Sequence, residues 1–381
     1  MTTVKPKIHP FKFAAASLDP HAIKVVQRLT SHGHLAYLVG GCVRDLLLNC
    51  TPKDFDVATD ASPEQIRKIF RNSRLIGRRF RLAHVVFGPE KVIEVATFRR
   101  QADVEVRDGQ DEDEVEDLLI RHDNVYGEPH EDAKRRDFTI NGLFYDLRRQ
   151  EVIDYVDGFK DIEERAIRTI GAPDVRFRED PVRMLRAIKF SSRLDVGIAP
   201  DVYDAIVGVR QELTRAAKPR VLEEVLRLLR GGAAQRAVYL LWDTGVLSVV
   251  LPELMPYIED VKGFEHQFWR RLQTMDAHIR QHGPVDDAVL LALLLYDAIV
   301  EALHSSTDKV AAFEDFLAPL GRRFTLSRRL KERMLAILIA QRRLERGRAK
   351  SIEHRSYYRA AVDFYEIQQR LYAGGKGELN A

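Results

Sequence analysis

The sequence contains few cysteines, no long apolar run and almost no excess charge of either sign. Its 381 residues include two cysteines, Cys42 and Cys50, too few for a disulfide scaffold or a cysteine-rich zinc module. Its most apolar stretch covers nine residues, 288–296, whereas a membrane-spanning helix needs about 20. Residues 1–20 lack the apolar core of a signal peptide. We therefore expect a cytoplasmic protein with no membrane partner.

The charge balance gives no direct sign of a nucleic-acid partner. There are 60 Lys and Arg residues against 57 Asp and Glu residues, a formal net charge of +3. Any basic surface must therefore come from segregation of charge along the chain. The sequence is 45% hydrophobic and 31% charged, which excludes a disordered or fibrous chain. At about 100–200 residues per domain, its length predicts two or three domains.

The first part of the chain alternates β-rich runs with helical ones, and the second part is helical. A capped helix start is predicted at Ser62, Pro63 and Gln65. Residues 101–123 are acidic and lack aromatic residues, which predicts a mobile loop; an acidic helix over 111–120 is the alternative. Strands are predicted at 36–39, 54–59, 82–87 and 92–98. Helices are predicted at 180–194, 201–214, 219–231, 234–243, 266–282, 285–303, 309–317, 325–345 and 355–372.

The first candidate site follows the predicted strand 36–39. Gly40 and Gly41 come between this strand and a helical run, and such a glycine pair allows a sharp turn that presents backbone N–H groups to an anion. Arg44 adds a cation that suits a phosphate. The alternative is an ordinary strand–helix turn.

The second candidate site is the pair Asp54 and Asp56. Residues two apart on a strand point to the same face, and two close carboxylates are unfavourable unless a positive charge lies between them. Mg²⁺ suits such a pair, because it binds hard oxygen ligands and completes its shell with substrate phosphates. The alternative is a polar, exposed strand face.

The third candidate is Glu94, a single acid inside the apolar run 92–96. A buried, unpaired carboxylate is costly, so Glu94 either faces solvent or joins Asp54 and Asp56 from a neighbouring strand. A glycine turn, two paired aspartates and a third acid on a later strand together predict nucleotidyl transfer, in which two metal ions stabilise the attacking and leaving oxygens.

These residues lie in longer segments that resemble a known family. The runs LVGGCVRDLLL at 38–48 and PKDFDVATDASPEQIRKIF at 52–70 are similar to the class II nucleotidyltransferases, which comprise CCA-adding enzymes and bacterial poly(A) polymerases. Three further segments resemble family motifs in the same order: RRDFTIN at 135–141, DYVDGFKD at 154–161 and EDPVR at 179–183.

The resemblance implies roles for these segments. Asp54 and Asp56 would hold two Mg²⁺ ions, and Glu94 would position or activate the attacking hydroxyl. The segment at 154–161 would act as a hinge. Asp180 and Arg183 would read the nucleobase, although Asp180 with Pro181 also has the pattern of a helix N-terminus. The triphosphate and ribose would be bound by Gly40, Gly41, Arg44, Arg135, Arg136, Asp137 and Asn141.

The resemblance also implies an α+β fold, with a mixed-sheet nucleotidyltransferase head followed by an all-helical neck and body. The expected division is a tail over 1–20, a head over 21–158, a nucleobase-reading neck over 159–235 and an RNA-binding body over 236–381.

Within the family, the run RLIGRRFRLAHVVFGPE at 74–90 resembles bacterial poly(A) polymerases more than CCA-adding enzymes. The implied activity is template-independent addition of AMP from ATP to RNA 3′ ends by a monomer. CCA addition to tRNA is the alternative, and a non-catalytic RNA-binding protein on a transferase-like head is a second. The candidate RNA-binding residues are Arg78, Arg79, Arg342 and Arg343.

Overall fold

The computed structural model describes residues 4–77, 81–89, 91–100, 125–259, 266–304 and 306–374. The predicted acidic loop at 101–123 lies outside these residues. The strands are β1 (Lys7–Pro10), β2 (Ala36–Val39), β3 (Asp56–Thr59), β4 (Ser73–Ile76), β5 (Leu82–Val86), β6 (Val92–Thr97), β7 (Arg99–Arg100), β8 (Val125–Tyr126), β9 (Leu143–Asp146), β10 (Glu151–Asp154), β11 (Ala166–Ile167) and β12 (Gly197–Ile198).

The first helices are α1 (Pro20–Ser31), α2 (Gly41–Leu47), α3 (Pro63–Ile69), α4 (Pro129–Lys134), α5 (Gly158–Glu163) and α6 (Pro173–Glu179). They are followed by α7 (Val182–Leu194), α8 (Pro200–Val209), α9 (Lys218–Arg230), α10 (Ala234–Asp243), α11 (Val246–Val250), α12 (Met255–Glu259), α13 (Gln267–His282), α14 (Asp287–Leu294), α15 (Tyr296–His304), α16 (Lys309–Phe324), α17 (Arg328–Glu345) and α18 (Tyr358–Gly374).

The chain forms two compact units. The first comprises residues 1–180 and 196–202, and the second comprises residues 181–195 and 203–381. The finer division into head, neck and body remains a proposal.

The first unit is built on an eight-stranded sheet with the strand order β1-β10-β9-β2-β3-β6-β5-β4. The strands pair antiparallel except β3 and β6, which are parallel. Residues directly opposite one another on paired strands share a face of the sheet. One row in register therefore crosses the whole sheet on one face: Ile8, Ile153, Phe144, Val39, Asp56, Glu94, His84 and Arg74.

This row changes character halfway across the sheet. Its first four residues are apolar, and three of them, Ile153, Phe144 and Val39, belong to one buried cluster. Its last four residues, Asp56, Glu94, His84 and Arg74, are ionisable, and we call them the polar row. The sequence pattern of alternating apolar and polar positions sets the face of each side chain, and strand pairing aligns the positions.

Helices α1 and α3 pack against the sheet. Asp19 begins α1 by accepting hydrogen bonds from the backbone N–H groups of His21 and Ala22. The predicted helix start at Ser62 is confirmed: Ser62 and Gln65 form a reciprocal capping box, and Pro63 is the first residue of α3.

The N-terminal segment differs from the expected tail. Strand β1 pairs along its length with β10, and the His9 ring stacks on Phe159 with centroids 4.1 Å apart. The segment joins the sheet because β10 offers an unpaired edge, a feature that composition does not reveal.

The second unit is helical, as expected. The predicted helix over 234–243 is confirmed as α10, whereas the predicted helix over 285–303 is divided into α14 and α15. An ion pair joins two of its helices: the buried Arg271 on α13 donates to the partly exposed Asp297 on α15 at 2.7 and 2.8 Å. In the part of the chain that the structure describes, no helix is both long and apolar enough to span a membrane.

Candidate active site

The glycine turn is shaped by Gly40, which has a φ of +69°. A Cβ atom at Gly40 would lie 2.8 Å from Nη1 of Arg136. The left-handed backbone therefore favours glycine at this position, and a side chain there would also displace the guanidinium of Arg136. Nη1 of Arg136 donates instead to the backbone oxygen of Asn141 at 3.2 Å, so the turn and the 135–141 segment form one structure.

Arg44 lies beneath this turn and is buried. Its Nε and Nη2 atoms donate to Oδ1 of Asp45 at 2.8 and 2.6 Å, and its Nη1 donates to Oδ1 of Asn141 at 2.6 Å. Asn141 in turn donates to Oδ1 of Asp137 at 2.9 Å. Three of the predicted nucleotide-binding residues thus form a single hydrogen-bonded chain, which fixes the orientation of each.

The three predicted catalytic acids lie near one another at the start of β3. Asp56 is the first residue of β3 and is in register with Glu94 on β6, and Asp54 lies two residues earlier and is exposed. Burial, together with the negative charges of Glu94 and Asp54, raises the pKa of Asp56 to about 6, although Arg136 opposes the shift.

This crowding of like charge is the arrangement that a cation stabilises. Among the residues that the structure describes, no group of three His, Cys, Asp or Glu side chains is arranged as a complete metal site. Mg²⁺ does not need one, since proteins usually bind it with one or two carboxylates and the phosphates of the substrate. Asp54 and Asp56 fit that donor set.

Two adjacent arginines face the same region, and both are held by Asp132, which the sequence analysis missed. Asp132 accepts from Nε of Arg135 at 2.9 Å and from Nη2 of Arg136 at 2.9 Å. Burial alone would raise the pKa of Asp132, but the two guanidinium groups lower it below its usual value. Asp132 lies on α4, three and four residues before the two arginines that follow the helix, and this spacing was the available signal.

Arg136 is also oriented by an aromatic ring. Its guanidinium carbon lies 5.6 Å from the centroid of Phe144, a cation–π distance. Phe144 is in register with Val39, which is in register with Asp56. The apolar half of the sheet row thus supports the arginine that stands near the catalytic acids.

The 154–161 segment packs against Thr139, which lies between Asp137 and Asn141. The carboxylate of Asp154 accepts from the backbone N–H groups of Val156 and Phe159 at 2.9 Å each. Asp161 accepts from Oγ1 of Thr139 at 2.6 Å. A Cβ atom at Gly158 would lie 2.1 Å from the backbone oxygen of Thr139, so glycine is required for this contact. The segment therefore locks the loop that carries Asp137 and Asn141.

The two residues predicted to read the nucleobase fall in different units. Asp180 follows α6 and is the last residue of the first unit before its boundary, whereas Arg183 lies in the first turn of α7 in the second unit. The sequence predicted Asp180 as the N-cap and Pro181 as the first helical residue. In the structure Pro181 is the N-cap and α7 begins at Val182, a displacement of one residue.

The predicted RNA-binding residues are only partly described. Arg342 and Arg343 lie in the last turn of α17 and are exposed. Arg78 and Arg79 lie outside the described residues.

One more residue of the site was missed. His84 on β5 is in register with Glu94, and its Nε2 atom lies 3.3 Å from Oε1 of Glu94. Its position within the run 82–87 offered no signal, because the pairing of β5 with β6 is needed to bring the two side chains together.

Two family models match the chain. The poly(A) polymerase head domain matches residues 36–168, and the probable RNA- and SrmB-binding site of polymerase A matches residues 195–258. Both matches agree with the family that the sequence motifs indicate.

Sequence relatives among known proteins indicate the same family. The chain is 37% identical over 369 residues to poly(A) polymerase I of Salmonella typhimurium, covering 93% of this chain and 79% of that protein. It is 39% identical over 225 residues to the CCA-adding enzyme of Bacillus licheniformis, covering 59% of this chain and 54% of that protein.

Among solved structures, the CCA-adding enzyme of Bacillus stearothermophilus in complex with CTP matches with a TM-score of 0.63 and 29% identity, covering 94% of this chain and 83% of that one. The expected α+β fold, with a nucleotidyltransferase head and a helical remainder, is confirmed. The chain belongs to the poly(A) polymerase type of class II nucleotidyltransferase.

Proposed function

We propose that this nucleotidyltransferase adds AMP from ATP to the 3′ ends of RNA without a template. The observation that carries the proposal is the register of Asp56 with Glu94, next to Asp54 and within the field of Arg136. Three carboxylates beside a guanidinium form a site that accepts a metal-bound triphosphate and a hydroxyl nucleophile.

Polyadenylation is favoured over CCA addition by the extent of the likeness. The match to poly(A) polymerase I covers 93% of this chain, whereas the match to the CCA-adding enzyme of Bacillus licheniformis covers 59%. The two activities use the same chemistry, so the acids alone do not distinguish them.

In the proposed reaction, the 3′-oxygen of the RNA forms a bond to the α-phosphorus of ATP. The bond between that phosphorus and the oxygen that bridges to the β-phosphate breaks, and pyrophosphate leaves with the electron pair. Glu94 is half exposed, so its carboxylate can orient the 3′-hydroxyl and accept its proton.

Asp54 and Asp56 are the proposed ligands for two Mg²⁺ ions. Such ions, when bound, neutralise charge on the phosphates and stabilise the attacking and leaving oxygens. The raised pKa of Asp56, about 6, supports this role, since the crowded carboxylates favour a cation beside them.

The phosphates of ATP are proposed to contact Arg135, Arg136 and the backbone at Gly40 and Gly41. Arg136 is held on two sides by Asp132 and Phe144 and keeps a partly exposed side chain. A guanidinium fixed in this way can bind a phosphate with little loss of conformational entropy. Arg44, Asp137 and Asn141 are proposed to support the ribose and phosphate contacts through their hydrogen-bonded chain.

Asp180 and Arg183 are proposed to select adenine by hydrogen bonds to its Watson–Crick edge. Replacing Arg183 with Ala should reduce the preference for ATP over CTP, measured as the ratio of kcat/KM for the two nucleotides. An unchanged ratio would overturn the base-reading role.

RNA is proposed to contact exposed arginines, including Arg342 and Arg343, with Arg78 and Arg79 retained from the sequence prediction. The match to the RNA- and SrmB-binding model over residues 195–258 supports an additional RNA-binding region there. We also propose that the protein acts as a monomer in the cytoplasm.

The decisive experiment compares two RNA substrates. An RNA ending in adenosines and a tRNA that lacks its CCA end are each incubated with Mg²⁺ and with ATP, CTP or both. Polyadenylation predicts long tails with ATP alone on the first RNA.

The Asp54→Asn variant is the control for a contaminating activity and should be inactive on both RNAs. Addition that requires CTP and stops after CCA on the tRNA would replace the proposal with CCA addition. Binding of RNA without release of pyrophosphate would instead indicate a non-catalytic RNA-binding protein.

A further inference from the structure

His84 stands next to the acid that the proposed reaction uses. It lies within the run 74–90, but the sequence analysis gave it no role. Glu94 has Asp56 in register on one side and His84 in register on the other, so all three side chains share one face of the sheet. Nε2 of His84 lies 3.3 Å from Oε1 of Glu94, with 24% of the histidine side chain and 51% of the glutamate side chain exposed.

Glu94 needs a partner to be held in place. Its side chain is long and half exposed, and ordering such a side chain costs up to about 2 kcal/mol of conformational entropy. Among the described residues, His84 is the side chain within ion-pairing distance of Glu94. A histidine ring on a strand has few rotamers and presents its N–H at a defined position.

We propose that His84 is a positioning residue: its imidazole donates a hydrogen bond to the Glu94 carboxylate and keeps it directed towards the RNA 3′-hydroxyl. In the structure the two atoms lie at ion-pairing distance, 3.3 Å, without the alignment of a hydrogen bond. Catalytic hydrogen bonds are often poorly aligned before substrate binds, and the proposal is that this one forms in the reacting complex. The inference rests on the proposed function, because it assigns His84 a part in the same transfer.

The chain provides a matched pair with which to test this role. His34 places Nδ1 3.2 Å from Oδ1 of Asp60, with side-chain exposures of 19% and 44%. Asp60 comes directly after the last residue of β3, whereas Asp56 is the first residue of that strand. The two His–carboxylate pairs therefore have similar distances and exposure. Asp60 lies four residues beyond Asp56, about 13 Å along the chain direction of β3, and Asp56 is the residue in register with Glu94, so the His34–Asp60 pair is remote from the three acids.

The test measures AMP incorporation by the full chain with His84→Phe, His84→Gln and His34→Phe. Phe keeps the ring and removes the donor, and Gln restores an N–H. His84→Phe should lower kcat about 10- to 100-fold, the usual effect of losing a residue that orients a functional ligand. KM for ATP should stay within about twofold, because Glu94 acts on the hydroxyl and not on nucleotide binding. His84→Gln should recover most of kcat, and His34→Phe should leave it unchanged.

A double-mutant cycle with Glu94→Gln shows whether His84 acts through Glu94. In the Glu94→Gln background, His84→Phe should cause no further loss, because the group that it positions is already gone. Multiplicative losses in the double variant would overturn the proposal, as would a kcat for His84→Phe equal to that of His34→Phe.

Two checks keep the outcome decisive. Should His84→Phe not fold, as judged by thermal unfolding, His84→Ala is compared in the same way. If the wild-type protein incorporates no nucleotide, the proposed function itself is contradicted. If the wild type is active and the His84 variant has an unchanged kcat, only the role of His84 is contradicted.

Discussion

Asp56 in the first unit and Asp276 in the second are both largely buried, and both have a pKa raised to about 6. Burial is the largest cause in each case. The other influences differ: Asp56 is crowded by Glu94 and Asp54, whereas Asp276 accepts hydrogen bonds from the backbone N–H groups of Ala234 and Gln235 at 2.7 and 2.9 Å.

The difference separates a proposed metal ligand, Asp56, from a structural carboxylate, Asp276. Asp276 accepts hydrogen bonds from the first turn of α10, whose N–H groups have no partner within the helix. Its oxygens are therefore occupied by structural hydrogen bonds. Asp56 has like charge beside it, so its oxygens are available to a cation. A raised pKa alone thus does not identify a catalytic acid. The groups that surround the carboxylate distinguish the two cases.

The same contrast holds for two arginines that lie over aromatic rings. Arg271 lies 4.7 Å from the centroid of Tyr296 and donates twice to Asp297, with 1% of its side chain exposed. Arg136 lies over Phe144 with 19% of its side chain exposed. Arg271 is therefore enclosed by its partners, whereas the side chain of Arg136 keeps part of its surface exposed.

The largest expected effect comes from removing the carboxylate of Asp56, the proposed metal ligand. Asp56→Asn should lower AMP incorporation by at least about 10³-fold, because metal binding supplies several kcal/mol of transition-state stabilisation and each 1.36 kcal/mol is tenfold in rate. Without metal its thermal unfolding temperature at neutral pH should not fall, since the substitution relieves repulsion. Asp276→Asn, the matched change in the second unit, should leave the rate within about twofold; near-normal activity of Asp56→Asn would contradict the metal assignment.

Breaking an enclosed pair should cost stability. Arg271→Met leaves the partly exposed Asp297 without its bidentate partner and should lower the free energy of unfolding by up to about 3 kcal/mol, the usual cost of leaving a desolvated polar group without its partner. Urea denaturation of the full chain measures it. A loss of less than about 1 kcal/mol would mean that Asp297 is satisfied by solvent instead.

The pH dependence of stability tests the raised pKa of Asp276. Its pKa is about 6 in the folded protein against a usual value of 3.8, so the folded state binds more protons between these values. The contribution of this group to stability should therefore fall as pH rises from about 4 to about 6, by up to about 3 kcal/mol. The wild type minus Asp276→Asn difference in unfolding free energy, measured at several pH values, should decline over this window. A difference that rises with pH would contradict the shift.

The smallest effect concerns helix starts in the two units. Ser62 and Gln65 form a reciprocal capping box on α3, whereas Ser327 caps α17 by accepting from the backbone of Leu330 at 3.2 Å. Ser62→Ala should cost about 1 kcal/mol. Ser327→Ala should cost somewhat less, because it has no reciprocal bond to lose. Urea denaturation compares them, and a larger loss at Ser327 would contradict this order.

The local features of the fold could be predicted from the sequence. The predicted strand at 36–39 is β2, the predicted helix at 234–243 is α10, and the capping box at Ser62 is as expected. Each depends on neighbours along the chain: alternation, helical spacing or a cap three residues away.

The sequence by itself therefore determined the family and the types of most elements, and it predicted the three acids, because motifs and periodicity are local. Only the tertiary structure decided that Glu94 lies between Asp56 and His84, that Asp132 holds both Arg135 and Arg136 while Phe144 supports Arg136, and that β1 joins the sheet. The physical reason is that register between strands distant in sequence depends on which surfaces pack together, and packing is a property of the whole folded chain.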